Sequence, residues 1–106
     1  MPDWRQQKGQ ICETILTEYL LHLGYYVMRP LAGQGPVDII AYDDHGSLYL
    51  LDSKADSKRV LANRTKPSRI HRSLSQAQRA LGVRVAYVDM ENRTVHIVPP
   101  LDDGAT

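Results

Sequence analysis

Asp38, Asp52 and Lys54 stand where two β-prone segments would bring them together. Val37 to Tyr42 and Ser47 to Ser53 are rich in β-branched and aromatic residues, and Asp43-Asp44-His45-Gly46 between them has the turn chemistry of a hairpin. A turn centred on His45 sets Asp38 opposite Asp52, Ile40 opposite Leu50 and Tyr42 opposite Leu48. Directly opposed side chains lie about 5 Å apart, and a slip of two residues would still leave both aspartates on one face. Lys54 follows Asp52 by two positions, so the strand period projects its ammonium group onto that face as well.

Two carboxylates about 5 Å apart repel by roughly 3 kcal/mol at an effective dielectric of about 20, so folding needs something to offset them. A divalent cation would reverse the sign. Hard oxygen ligands of this kind favour Mg²⁺, with Mn²⁺ as a substitute, bound through one or two carboxylates, retained waters and a phosphate oxygen of a substrate. The competing reading is an ion-pair cluster in which Lys54 neutralises one aspartate and the other is protonated. That reading leaves the next stretch unexplained. Residues 54 to 72 carry a net charge of +6 against −5 for the remainder, a contrast concealed by the total of +1. Lys58, Arg59, Arg64, Lys66, Arg69 and Arg72 are suited to phosphate contacts that position nucleic acid without reading its sequence, the plainer alternative being a solvated loop.

The elements that must hold these groups follow from periodicity. Ile11, Cys12, Ile15, Leu16, Tyr19, Leu20 and Leu23 recur at helical spacing and predict a helix from about Arg5 to Leu23, stopped by Gly24. Glu13 and Glu18 lie on opposite flanks of its apolar stripe, and helical geometry does not choose which could reach the hairpin. Tyr25 to Met28 reads as a strand and Arg29 to Pro36 as a loop. Both faces of the hairpin are apolar apart from the aspartates, which predicts a place inside a sheet. Residues 55 to 67 show no periodicity. A second helix is expected from about Ser68 to Leu81, with Ile70, Leu74, Ala77 and Leu81 inward and Gly82 as its stop. Strands at Val83 to Val88 and Thr94 to Val98 complete a mixed sheet covered by helices.

A length of 106 residues predicts one domain spanning 1–106 and leaves little room for an organic cofactor. Hydrophobic residues at 42% and charged residues at 24% exclude disordered and fibrous classes. The single Cys12 excludes an intrachain disulfide and any cysteine-rich zinc cluster, and His22, His45, His71 and His96 have no metal-ligand spacing. With no apolar run at Met1-Pro2-Asp3-Trp4-Arg5 and no membrane-length segment, the expected location is the cytoplasm.

Glu13, then Gly35-Pro36-Val37-Asp38-Ile39-Ile40-Ala41, then Leu51-Asp52-Ser53-Lys54 resembles the active-site signature of the PD-(D/E)XK nuclease superfamily. Lys8-Gly9-Gln10-Ile11-Cys12-Glu13, with Leu23-Gly24-Tyr25-Tyr26-Val27-Met28-Arg29 and the Asp38 strand, is most similar to the archaeal-type Holliday junction resolvases. Residues 8 to 54 carry the likeness. Asp52 stands where those resolvases usually have glutamate, and Leu31 to Gly35 lacks a serine often found there.

The resemblance implies a restriction-endonuclease-like αβββαβ core, an α/β fold with a mixed central sheet flanked by helices. It favours Glu13 over Glu18 and implies a metal site made by Asp38, Asp52, the Ser53 backbone carbonyl and Glu13, with Lys54 beside the nucleophile. The expected activity is Mg²⁺-dependent structure-specific cleavage of DNA that leaves a 5′-phosphate and a 3′-hydroxyl, Holliday junction resolution being the leading form. A four-way junction has two symmetric cleavage points, so a homodimer is expected, in a bacterial, archaeal or phage-infected cell. The alternatives are a small nuclease on flapped, nicked or single-stranded DNA, and a non-catalytic DNA-binding subunit.

Overall fold

The apolar stripe of the first helix and the alternation of the hairpin meet in one core. In a computed structural model, described for residues 4–31, 35–56, 58–59, 68–69 and 74–101, helix α1 (Trp4–His22) buries Cys12, Ile15, Leu16 and Leu20 against the sheet. The facing residues include Ile39, Ala41, Tyr49 and Leu51 of the hairpin, with Ala86, Val88 and Ile97 beyond them. Ile11 and Leu23, at the margins of the stripe, are largely exposed. No helix among the described residues is long and apolar enough to cross a membrane.

The strands are β1 (Tyr26–Met28), β2 (Ile39–Tyr42), β3 (Leu48–Ala55), β4 (Lys58–Arg59), β5 (Ser68–Arg69), β6 (Arg84–Asp89) and β7 (Thr94–Val98), with helix α2 (Gln76–Leu81) before β6. The main sheet runs β1-β2-β3-β6-β7, antiparallel throughout except for the parallel pair β3 and β6. That pair needs a crossover, and α2 lies within it. The hairpin register is the expected one, pairing Ile39 with Leu51, Ile40 with Leu50, Ala41 with Tyr49 and Tyr42 with Leu48. Its turn is fixed locally: Asp43 Oδ1 accepts hydrogen bonds from the main-chain N–H of His45 and Ser47, and Gly46 takes a φ of 87° that few other residues adopt.

Three expectations change. The second helix begins at Gln76, not Ser68, because Ser68 and Arg69 pair with Arg59 and Lys58 in a separate two-stranded ladder. Ser75 caps α2 by accepting a hydrogen bond from the Gln78 N–H, which sets the start of the helix. Ala77 and Leu81 are exposed, and α2 buries no residue; Ile70 lies outside the described residues. The hairpin occupies the middle of the sheet, but only its α1 side is fully covered, since Leu48 on the other side is 57% exposed.

Candidate active site

The open side of β2 and β3 brings the sequence-derived residues together. Asp38 immediately precedes β2, and its N–H donates to the Leu51 carbonyl at 2.9 Å, so it continues the ladder one residue past the assigned strand. This sets it opposite Asp52. The Asp52 carboxyl lies within hydrogen-bonding reach of Asp38, and Lys54 Nζ is 3.4 Å from Asp52 Oδ2. Asp52 is buried at 6% exposure, whereas the Lys54 side chain keeps 39% of its surface, so the ammonium sits at the rim of the pair.

Asp38 is held in a second way. Its Oδ2 accepts a hydrogen bond from the Ser53 N–H at 2.8 Å. Main-chain N–H and C=O of one strand residue point to the same edge, so the Ser53 carbonyl is also directed towards β2 and the Asp38 side of the pair.

The electrostatics are those of a partly buried pair of carboxylates with one ammonium at its rim. Burial pushes the Asp38 carboxyl up from its ordinary value to about 6; the Ser53 N–H pulls the other way, and Asp52 and then Glu13 push it up further. Two hard carboxylates side by side, one of them reluctant to ionise, have the chemistry that suits a small divalent cation keeping part of its water shell. Among the described residues no three His, Cys, Asp or Glu side chains form a closed metal cage. The carboxylates brought together here are Asp38 and Asp52, and the charge of Glu13 raises the Asp38 carboxyl further.

Glu13 is placed by the loop after β1. Its Oε1 lies 3.6 Å from Arg29 Nη1, and the Thr17 hydroxyl donates to the Glu13 carbonyl at 2.7 Å one turn along α1. Glu18 instead pairs with Arg93 at 3.6 Å, and it takes no part in the site. Of the two flanking glutamates, Glu13 is the one whose charge reaches Asp38, and its contact with Arg29 is one no helical pattern contains.

Of the basic residues, Lys58 and Arg59 stand in β4 and Arg69 in β5, where Lys58 pairs with Arg69 across the ladder. Arg64, Lys66 and Arg72 lie outside the described residues. Two concavities among the described residues lie away from the site: one of about 530 Å³ between the end of α1, the β2–β3 turn and β7, the other of about 430 Å³ beside Gln10 and Arg93.

Gln78, a second-helix glutamine to which the sequence gives little weight, touches the strand entry. Gln78 donates from Nε2 to the Pro36 carbonyl at 3.0 Å, two residues before Asp38. The signal was present as Ser75-x-x-Gln78, the spacing of a capping box, which marks both the helix start and a glutamine whose amide is held at that end.

No protein-family model and no curated protein matches the chain. Among solved structures it is similar to a bacterial homing endonuclease, at a TM-score of 0.60 and 19% identity, over 87% of this chain and 66% of that one. The chain therefore spans about two thirds of the length of that structure, and at this identity the likeness is one of fold. The chain has the mixed, helix-flanked α/β sheet of a restriction-endonuclease-like core, with the Asp38 hairpin at its centre.

Proposed function

We propose that the chain is a metal-dependent endonuclease that hydrolyses phosphodiester bonds in DNA. The observation that supports this best is the meeting of Asp38, Asp52 and Lys54 on the face of the hairpin opposite α1. The structural neighbour, itself described as a homing endonuclease, agrees with that chemistry.

Asp38 and Asp52, with the Ser53 carbonyl and with Glu13 through water, would hold Mg²⁺ or Mn²⁺. When bound, the ion supplies Lewis-acid chemistry, lowering the pKa of a water and drawing charge from a non-bridging phosphate oxygen. Lys54 then has two tasks. Its ammonium orients the attacking water by hydrogen bonding and offsets the negative charge that develops on phosphorus. Asp52, 3.4 Å away, keeps the ammonium aimed at the rim where a phosphate would lie. The basic residues from Lys58 to Arg72 hold the flanking backbone.

Branched DNA is the substrate class we favour, acted on by a homodimer so that two phosphodiesters are cut in register. A gel assay comparing a four-way junction, a flap and a linear duplex tests this, with Mg²⁺, Mn²⁺ or a chelator. Symmetric nicking of the junction in Mg²⁺ or Mn²⁺, absent with chelator, is expected. Cleavage confined to the flap would leave the chemistry and remove the junction; binding without cleavage in either ion would overturn the nuclease reading in favour of a non-catalytic DNA-binding subunit.

Salt dependence tests the basic stretch separately. With six basic groups on phosphates, log affinity should fall against log salt with a slope of about −5, at roughly 0.9 per phosphate contacted. Replacing Lys58 and Arg59 by alanine should reduce that slope by about 2. A slope near zero in the wild-type chain would remove phosphate contact as the role of this segment.

A further inference from the structure

We propose that Gln78 is a positioning residue for Asp38, acting through the Pro36 carbonyl; the functional part of this inference rests on the nuclease reading above. Helix α2 is only six residues long and buries none of them, so apolar packing does not fix where it sits. Instead one side chain ties it to the loop that leads into the site. Gln78 Oε1 accepts from the Ser75 N–H at 2.9 Å, and Gln78 Nε2 donates to the Pro36 carbonyl at 3.0 Å, 42 positions away in the chain. The amide orientation is dictated by its partners, because a main-chain N–H can only donate and a carbonyl can only accept.

Pro36 makes this contact consequential. Proline has no N–H, so its carbonyl is the one main-chain polar group by which residue 36 can be held. From Asp38 onward the chain is fixed by β3, through the Asp38 N–H to the Leu51 carbonyl at 2.9 Å and the Ser53 N–H to Asp38 Oδ2 at 2.8 Å. On the entering side, Gln78 supplies a restraint two residues upstream. Together the two attachments define the backbone from which the Asp38 carboxylate projects, and metal and phosphate geometry tolerates little error there.

The two ends of the amide can be separated experimentally. Gln78→Glu keeps an oxygen for the Ser75 N–H but replaces the donor facing Pro36 by a carboxylate oxygen that repels it. Ser75→Ala removes the hydroxyl of the cap and leaves the Gln78 amide intact. With Gln78→Glu, kcat for Mg²⁺-dependent cleavage should fall about 10- to 100-fold and half-saturating Mg²⁺ should rise, while KM for DNA changes less than about threefold, the effect of an outer partner that orients a ligand. Ser75→Ala should change kcat by less than about threefold. Gln78→Glu retaining kcat within twofold of the wild type, or losing no more than Ser75→Ala, would overturn the proposal while leaving the nuclease reading intact. If the wild-type chain cleaves nothing, that reading fails and the tether is judged by amide hydrogen exchange at Asp38 without substrate. Exchange there should quicken about tenfold in Gln78→Glu and stay unchanged in Ser75→Ala; equal rates in the wild type and Gln78→Glu would overturn it.

Discussion

Asp38→Asn is expected to abolish Mg²⁺-dependent cleavage and, in the same protein, to raise stability at neutral pH. The activity loss, on the order of 10³-fold or more, follows from removing one of two anionic ligands while the amide oxygen still accepts the Ser53 N–H, so the local backbone is kept. The stability gain follows from proton linkage. In the unfolded chain the carboxyl titrates near 3.8, and in the folded chain at about 6, raised first by burial and then by Asp52 and Glu13 against the pull of the Ser53 N–H. Below pH 3.8 both states are protonated and the fold has its full stability with respect to this group. As pH rises from there through about 6, the unfolded chain releases a proton that the folded chain retains, and stability is lost. A shift of this size corresponds to at most about 3 kcal/mol. Screening at a partly exposed carboxylate reduces that to about 1–2 kcal/mol. Asparagine does not titrate, so denaturant unfolding of the two proteins without divalent ion should agree near pH 4 and diverge to a plateau above pH 6. Adding Mg²⁺ at pH 7.5 should stabilise the wild type and not the variant. A variant less stable than the wild type at pH 7.5 would contradict the linkage, and one that still cleaves would remove Asp38 from the site.

Such a residue is conspicuous in the sequence because the features that place it are local. Asp43 and Gly46 define the turn, the turn defines the register, and the period of two then sends Asp38, Asp52 and Lys54 to one side. Each step uses residues within about ten positions of the next. The start of helix α2 is set by an equally local feature. The spacing of Ile70, Leu74, Ala77 and Leu81 imitates an apolar stripe, yet the Ser75 hydroxyl and the Gln78 amide satisfy the main-chain groups that start the helix, and a four-residue apolar spacing does not compete with that cap. The choice of Glu13 over Glu18 was not legible from periodicity at all. What distinguishes the two in the fold is tertiary: Arg29 arrives beside Glu13 after β1, and Glu18 faces Arg93. The parallel pairing of β3 with β6 and the raised titration of Asp38 are likewise products of the assembled fold.

Lys54→Ala separates the two roles open to the lysine. If its ammonium serves only to neutralise Asp52, removing it should chiefly cost stability, because Asp52 is 6% exposed and a buried carboxylate left without a cation is expensive. Mg²⁺ would then substitute for the missing charge, and activity would return as the ion saturated. If the ammonium also orients water and offsets charge on phosphorus, saturating Mg²⁺ should restore stability without restoring cleavage. We expect the second pattern, with unfolding in excess Mg²⁺ close to that of the wild type and kcat lower by about 10²–10³. DNA binding at fixed salt should change by no more than one phosphate contact, since six other basic groups remain between Lys58 and Arg72. Lys54→Arg sharpens the result: it keeps the charge beside Asp52 but presents a planar guanidinium instead of a compact ammonium, so it should fold like the wild type and still lose most of its activity. Cleavage by Lys54→Ala within about tenfold of the wild type at saturating Mg²⁺ would confine Lys54 to the ion pair and leave the carboxylates alone to carry the chemistry.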